Sequence, residues 1–123
     1  MRVLVCGGRG ASNTDGSREL NLVMDTLCRM HRENPITAII HGNASGYDQL
    51  GKSWALMYGV PHVPVPANWA EYGKAAGPIR NQRMLDVFAP AVVIAFPGGR
   101  GTDDMVRRAT AAGVPVQRVT PSE

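Results

Sequence analysis

The fold is decided by one stretch of sequence, 91-AVVIAFPGGRGT-102, in which an apolar run leads directly into a glycine turn. An unbroken run of β-branched and apolar residues is typical of a strand buried on both faces. The turn then opens a helix, whose first amide N–H groups have no partner inside the helix and lie at the positive end of its dipole. We therefore predict that this turn binds a phosphate, the alternative being a turn that only connects two elements. The residues of this predicted site are Pro97, Gly98, Gly99, Arg100, Gly101 and Thr102, with Thr102 as the helix cap.

A second glycine turn follows the first apolar run of the chain. The run 3-VLVC-6 ends in Gly7, Gly8, Arg9 and Gly10. It does not contain the dinucleotide pattern G-x-G-x-x-G, and no acidic residue near Ile40 stands where a ribose-binding carboxylate is expected. We therefore predict no nicotinamide or flavin cofactor. Arg9 and Arg100, inside the two turns, either fold over a bound anion or are solvated loop cations.

Strand-like and helix-like segments alternate along the whole chain. The predicted strands are 3–6, 38–40, 62–66, 91–96 and 114–119, and the predicted helices start from a cap at Asp15 or Ser17, after Gly46, at Pro78 and at Thr102. The segment 67–77 is predicted as a long loop with one helical turn. Such alternation implies one α/β domain over residues 1–123, Rossmann-like, with a parallel five-stranded sheet of order 3-2-1-4-5 and helices on both faces. In that order the two glycine turns form opposite walls of one crevice, beside the turn 41–46.

Composition limits the classes of function. The formal charge of +3 comes without a basic run, and no apolar stretch approaches the length of a membrane span. Two cysteines are expected as buried free thiols in a reducing cytosol, so we predict a cytoplasmic protein. His31, His41 and His62 lack metal-ligand spacing, so we predict no metal. A helix rich in alanine and methionine offers a face for a homodimer.

Three segments together carry a resemblance over nearly the whole chain: 41-HGNASGYD-48, 67-ANWAEYGKAAGPIRN-81 and 96-FPGGRGT-102. They resemble the YspA-related branch of the SLOG superfamily, which implies a Rossmann-like domain for nucleotides or nucleotide-derived signals. The superfamily also includes the DNA-processing protein DprA and the Lonely-guy phosphoribohydrolases, which split a nucleoside monophosphate into base and ribose phosphate. The chain departs from the Lonely-guy pattern P-G-G-x-G-T-x-x-E, because Met105 stands at the position of the glutamate. The neighbouring Asp104 is the candidate substitute for that glutamate. The YspA-like pattern H-G-G-A-R-G-A-D also departs, at Asn43, Ser45 and Tyr47.

Several polar side chains are candidate ligand contacts. Arg80 is predicted in the first turn of its helix, where a cation opposes the helix dipole, and we interpret it as a phosphate ligand rather than a solvated surface arginine. Asn81 binds a base or sugar, or is a structural residue of the helix start. Asp48 and Asp104 accept a hydrogen bond from a ribose hydroxyl or only complement helix dipoles.

Glycines and aromatic residues complete the predicted site. Gly42 and Gly46 belong to the third turn, beside the crevice. Trp69 and Tyr72 either stack on a base or anchor the loop in the core.

Three hypotheses of function follow. The first is a module that binds or senses a nucleotide or nucleotide-derived molecule. The alternative is an N-glycosidic hydrolase of nucleoside 5′-monophosphates, with Asp104 and Arg80 as catalytic residues. The least favoured is binding of single-stranded nucleic acid, because the charge is moderate and aromatic residues are few.

Overall fold

A computed structural model describes residues 1–9 and 17–121. Five parallel strands form one sheet in the order β3-β2-β1-β4-β5, which confirms the predicted fold class and strand order. A 3₁₀ turn, Gly73–Ala75, joins α3 to α4. The elements are β1 (Arg2–Cys6), α1 (Ser17–Glu33), β2 (Ala38–His41), α2 (Tyr47–Met57), β3 (His62–Pro64), α3 (Trp69–Tyr72), α4 (Ala76–Phe88), β4 (Val92–Ala95), α5 (Arg100–Ala111) and β5 (Val116–Arg118).

The sheet is buried between two helical layers because successive side chains of a strand point to opposite faces. In β1, Val3 and Val5 pack in the layer of α1 and α2, while Leu4 and Cys6 pack in the layer of α4 and α5. All four side chains are buried. This packing explains why the central strands read as unbroken apolar runs.

Both cysteines are free, as predicted, although Cys28 is only half-buried. Its sulfur accepts a hydrogen bond from Trp54 Nε1 at 3.3 Å, which ties α1 to the buried indole of α2. Burial, with a smaller contribution from the charge of Asp48, raises the pKa of Cys6 to about 12. Cys6 is therefore a packing residue at neutral pH.

Several predicted boundaries were wrong. The helix predicted from Pro78 begins at Ala76, and the helix predicted from Thr102 begins at Arg100, because Asp103 N already closes a hydrogen bond to Gly99 O at 3.0 Å. The outer strands β3 and β5 are three residues each, shorter than predicted. The predicted cap at Asp15 lies outside the described residues. Across residues 1–9 and 17–121, no helix is both long and apolar enough to cross a bilayer.

Candidate functional site

The two glycine turns lie against each other at the carboxyl ends of β1 and β4, as the strand order predicts. Gly8 N donates a hydrogen bond to Pro97 O at 2.8 Å. A Cβ placed on Gly98 would lie 2.7 Å from Gly8 N, and one on Gly8 would lie 3.2 Å from Gly98 Cα. Glycine is required at Gly98 because the two backbones approach this closely.

The third turn, residues 41–46, packs against the same point. Tyr47 N donates to Gly8 O at 3.3 Å, and Gly46 has a φ of +83°. A Cβ on Gly46 would lie 2.8 Å from Arg9 Cα. The positive φ and the close approach together explain the glycine at this position.

The three turns and α4 surround a cleft of about 730 Å³. Most of the residues predicted for the site line this cleft, and they are joined by residues that sequence reasoning did not name, such as Ala44, Lys74 and Arg107. Gly46, Pro97 and Gly98 are not on its surface and instead hold the turns together. Gly10 lies outside the described residues. The predicted residues on the cleft wall are Gly7, Gly8, Arg9, Gly42, Asp48, Trp69, Arg80, Asn81, Gly99, Arg100, Gly101, Thr102 and Asp104.

The start of α5 forms one wall of the cleft. Its N-cap residue is Gly99, and no side chain caps the helix. The prediction that Thr102 caps this helix was wrong, because Thr102 is the third helical residue and its side chain is buried against Gly98. Arg9 and Arg100 are both exposed and line the cleft. Within the described residues, the first amides of α5 therefore lie at the cleft without a side-chain acceptor, and the cleft is also lined by the cationic side chains of Arg9 and Arg100.

Arg80 lines the cleft, as predicted, but from a different position in its helix. It is the fifth residue of α4, beyond the first turn, so the argument from the helix dipole was wrong. It is also half-buried rather than a solvated surface arginine. Its Nη1 donates to Gly42 O at 2.7 Å and to Val65 O at 3.4 Å, and its Nε donates to Asn81 Oδ1 at 3.0 Å. Burial lowers the pKa of Arg80, while the charge of Asp48 raises it. Arg80 thus fixes the third turn to α4 and presents positive charge to the cleft.

Asp48 is buried and holds the third turn from inside. Its side chain does not stand on a solvated helix face, as a residue that only complements the dipole would. Asp48 Oδ2 accepts hydrogen bonds from Gly42 N at 3.0 Å and Ala44 N at 3.1 Å. Burial raises the pKa of Asp48 to about 6, although these two bonds and the charges of Arg80 and Arg9 act in the opposite direction. A buried carboxylate with this pKa on a cleft wall is typical of functional sites.

Asp104, on the opposite wall, has every carboxylate oxygen engaged. Oδ1 accepts from Arg107 Nη2 at 2.6 Å, and Oδ2 accepts from Arg108 Nε at 2.9 Å and from Asn81 Nδ2 at 3.0 Å. Although burial alone would raise it, the pKa of Asp104 is lowered by the bonds from Asn81 and Arg108 and by the charges of both arginines. The adjacent Met105 is fully buried in the core. Catalysis by Asp104 stays a prediction, and its contacts are those of a structural carboxylate.

Asn81 belongs to the same bonded group and also donates to Gly101 O at 3.2 Å. Its amide nitrogen is therefore occupied by the protein, although the residue lines the cleft. The structural alternative for Asn81 accounts for these contacts. The residue joins α4 to the start of α5 and so fixes the width of the cleft.

Trp69 and Tyr72 do not anchor their segment in the core, since they are 51% and 45% exposed. Trp69 lines the cleft, and Tyr72 does not. The core-anchoring alternative was therefore wrong for both residues. An exposed indole at the edge of a cleft is a surface on which a planar ring can stack.

Sequence reasoning missed a pair of histidines behind the third turn. His41 Nδ1 accepts from Asn43 N at 3.0 Å, so its proton is assigned to Nε2, which lies 3.1 Å from His62 Nδ1. Burial, then the neighbouring His62 and Lys52, lowers the pKa of His41 to about 4. The register that pairs Ile39 with His62 brings the two rings together. This contact depends on the register of the sheet, which the sequence alone does not give. Within the described part of the chain, no group of three metal-ligating side chains occurs.

Comparisons with known proteins agree with this architecture. Residues 1–72 match the model of the YspA, cpYpsA-related SLOG family. The Gene 61 protein of Mycobacterium phage D29 is 34% identical over 123 residues, covering 94% of this chain and 93% of its own. The X-ray structure of TM1055, a Northeast Structural Genomics Consortium target, superposes with a TM-score of 0.73 at 21% identity, over 94% of this chain and 71% of that one, and shows the same fold. Because the matched model covers more than half of the chain, the chain belongs to the YspA, cpYpsA-related SLOG family.

Proposed function

We propose that the cleft binds a nucleotide or a nucleotide-derived molecule, with a phosphate over the first amides of α5. The observation that carries the proposal is the junction of the two glycine turns, in which the bond from Gly8 N to Pro97 O holds the uncapped start of α5 at the cleft. Membership of the SLOG family supports a nucleotide-related role in general.

The charges on the cleft wall favour an anionic ligand. Among residues 1–9 and 17–121, five cationic side chains line it, against three acidic ones. Asp104 is paired with Arg107 of the same wall and with Arg108, and Asp103 lies 3.6 Å from Arg118. Apart from these pairs, four cationic side chains of the described residues face the single carboxylate of Asp48. The cationic residues are Arg9, Lys74, Arg80, Arg100 and Arg107.

The volume and the aromatic edge suit a nucleotide. About 730 Å³ lies within the range of small-molecule sites in proteins. Trp69 offers a half-exposed ring on the wall, on which a base stacks without regard to its identity. We expect the phosphate to be the main source of affinity and the ring to add to it.

Calorimetry against a panel of nucleoside monophosphates, diphosphates and unphosphorylated nucleosides tests the proposal. We expect at least one nucleotide to bind and its nucleoside to bind at least about 10-fold more weakly, because the phosphate contacts are charge-assisted. Absence of binding across the whole panel would contradict the proposal.

Two arginine variants assign the phosphate position. Arg100→Gln removes the cation at the start of α5 and should weaken nucleotide binding about 3- to 10-fold while leaving nucleoside binding unchanged. Arg83→Gln is the matched control, because Arg83 is also exposed but does not line the cleft. Equal losses in both variants would indicate a general effect of net charge instead of a phosphate contact.

A further inference from the structure

Asp48 contributes one carboxylate oxygen to the fold and keeps the other available. Both hydrogen bonds that it accepts from Gly42 N and Ala44 N go to Oδ2. Among residues 1–9 and 17–121, no group donates a hydrogen bond to Oδ1. Oδ1 is also not among the fully buried polar atoms that lack a partner, so it is accessible to solvent. Since the residue is 6% exposed and lines the cleft, the open part of Asp48 faces the cleft.

The surroundings make Asp48 Oδ1 an acceptor without a fixed ion pair. The guanidinium of Arg80 bonds the carbonyls of Gly42 and Val65 and the side chain of Asn81. In the described part of the chain, Asp48 forms no salt bridge within 4.0 Å. A buried carboxylate oxygen gains from a hydrogen-bond donor and repels a phosphate.

We infer that Asp48 Oδ1 accepts a hydrogen bond from a ribose hydroxyl of the ligand, which makes the cleft selective for ribonucleotides over deoxyribonucleotides. This inference rests on the proposed function. With the phosphate over α5, the donor that reaches the opposite wall, at the start of α2, is a neutral group of the same molecule. The ribose is the part of a nucleotide that carries hydroxyl donors beside the phosphate.

Selectivity of this kind is large because a site built around a hydroxyl is left with an unpaired acceptor when the hydroxyl is missing. We expect a preference of about 10- to 100-fold for the ribonucleotide over the 2′-deoxy or the 3′-deoxy analogue, depending on which hydroxyl Asp48 contacts.

Calorimetry with AMP, GMP, CMP and UMP, each beside its 2′-deoxy and 3′-deoxy analogue, measures this preference in the wild type. Asp48→Asn then assigns it. The asparagine oxygen can still accept from Gly42 N and Ala44 N, while its NH₂ group replaces the open oxygen by a donor. We expect the variant to lose the preference, so that both sugars bind alike.

Asp86→Asn is the matched control, because it removes the same charge from a residue outside the cleft that accepts a bond from Gln82. It should keep the wild-type preference. Asp48→Ser, whose shorter side chain removes the whole carboxylate, gives a second test and should lose the preference as well.

The outcomes separate this inference from the proposed function. Nucleotides that bind the wild type with no ribose preference overturn the inference and leave the proposed function standing. A preference that follows the base instead of the sugar, or that persists in both Asp48 variants, also overturns it. If no nucleotide binds, both fail together.

Discussion

Two carboxylates face one cleft from opposite walls and differ in every property that decides their use. Asp104, on α5, has both oxygens bonded and a lowered pKa, because two arginines and an asparagine surround it. Asp48, on α2, has one oxygen bonded to backbone amides, one open, and a pKa raised to about 6 by burial. Position on a cleft wall therefore does not by itself identify a ligand-binding carboxylate. The proposed ribose contact of Asp48 rests on an acceptor that the described residues leave without a donor.

The largest effect is expected from removing the engaged carboxylate. Asp104→Ala leaves Arg108 and Asn81 without their acceptor in a partly buried position and should lower the free energy of unfolding by about 3 kcal/mol. Urea unfolding measures it. Asp103→Ala, at the adjacent acid, is the control. Asp103 and Arg118 are both exposed and lie 3.6 Å apart, and because exposed ion pairs contribute little, this variant should change stability by less than about 0.5 kcal/mol. Equal losses would mean that the bonds of Asp104 contribute no more to stability than the exposed pair of Asp103.

A second effect, of about 2 kcal/mol, is expected in the pH dependence of stability. The pKa of Asp48 is about 6 in the folded protein against 3.8 for an ordinary carboxyl, so the folded state binds more protons and stability falls as pH rises from 4 to 6. His41 acts in the opposite direction, because its pKa of about 4 against 6.5 means that the folded state binds fewer protons, and stability rises with pH over a similar window. The two contributions oppose each other in the wild type.

Asp48→Asn removes one of these opposing contributions. Relative to the wild type, the variant should gain about 2 kcal/mol in free energy of unfolding as pH rises from 4 to 6. Urea unfolding at several pH values measures the difference between the two curves. Asp86→Asn should run parallel to the wild type. Parallel curves for Asp48→Asn would mean that Asp48 is not the carboxyl that titrates in this range.

The sequence predicted the position of the cleft more closely than the use of its side chains. Apolar runs such as 3–6 and 91–96, each followed by a glycine turn, were sufficient to place a cleft at the carboxyl ends of the strands once the Rossmann-like order 3-2-1-4-5 was assumed, because parallel strands place such turns at one edge of the sheet. The hydrogen bonds of Asp48 could not be predicted from the sequence. They form because the third turn folds back so that the amides of Gly42 and Ala44 both donate to Asp48 Oδ2.

The engagement of Asp104, by contrast, did leave a signal in the sequence. Arg107 and Arg108 follow it at spacings of three and four, which place them beside it on one helix face. Arg80 was correctly predicted to line the cleft, but the argument, which placed it in the first turn of its helix, was incorrect. Its helix begins two residues earlier than Pro78 indicates, so the residue reaches the cleft from the second turn of α4.

The smallest effects should appear when one methyl group is added to each wall. A Cβ on Gly42 would lie 2.6 Å from Arg80 Cζ and 3.1 Å from Asp48 Oδ2, so Gly42→Ala should displace the guanidinium from its hydrogen bonds and lower the free energy of unfolding by about 1 kcal/mol. A Cβ on Gly101, in the first turn of α5, meets no atom within 4 Å, so Gly101→Ala should raise stability by about 0.5 kcal/mol, since alanine is the better helix former. Thermal and urea unfolding distinguish the two signs. A stabilising Gly42→Ala would show that the Asp48 wall is looser than its hydrogen bonds indicate, and would weaken the case for a fixed acceptor there.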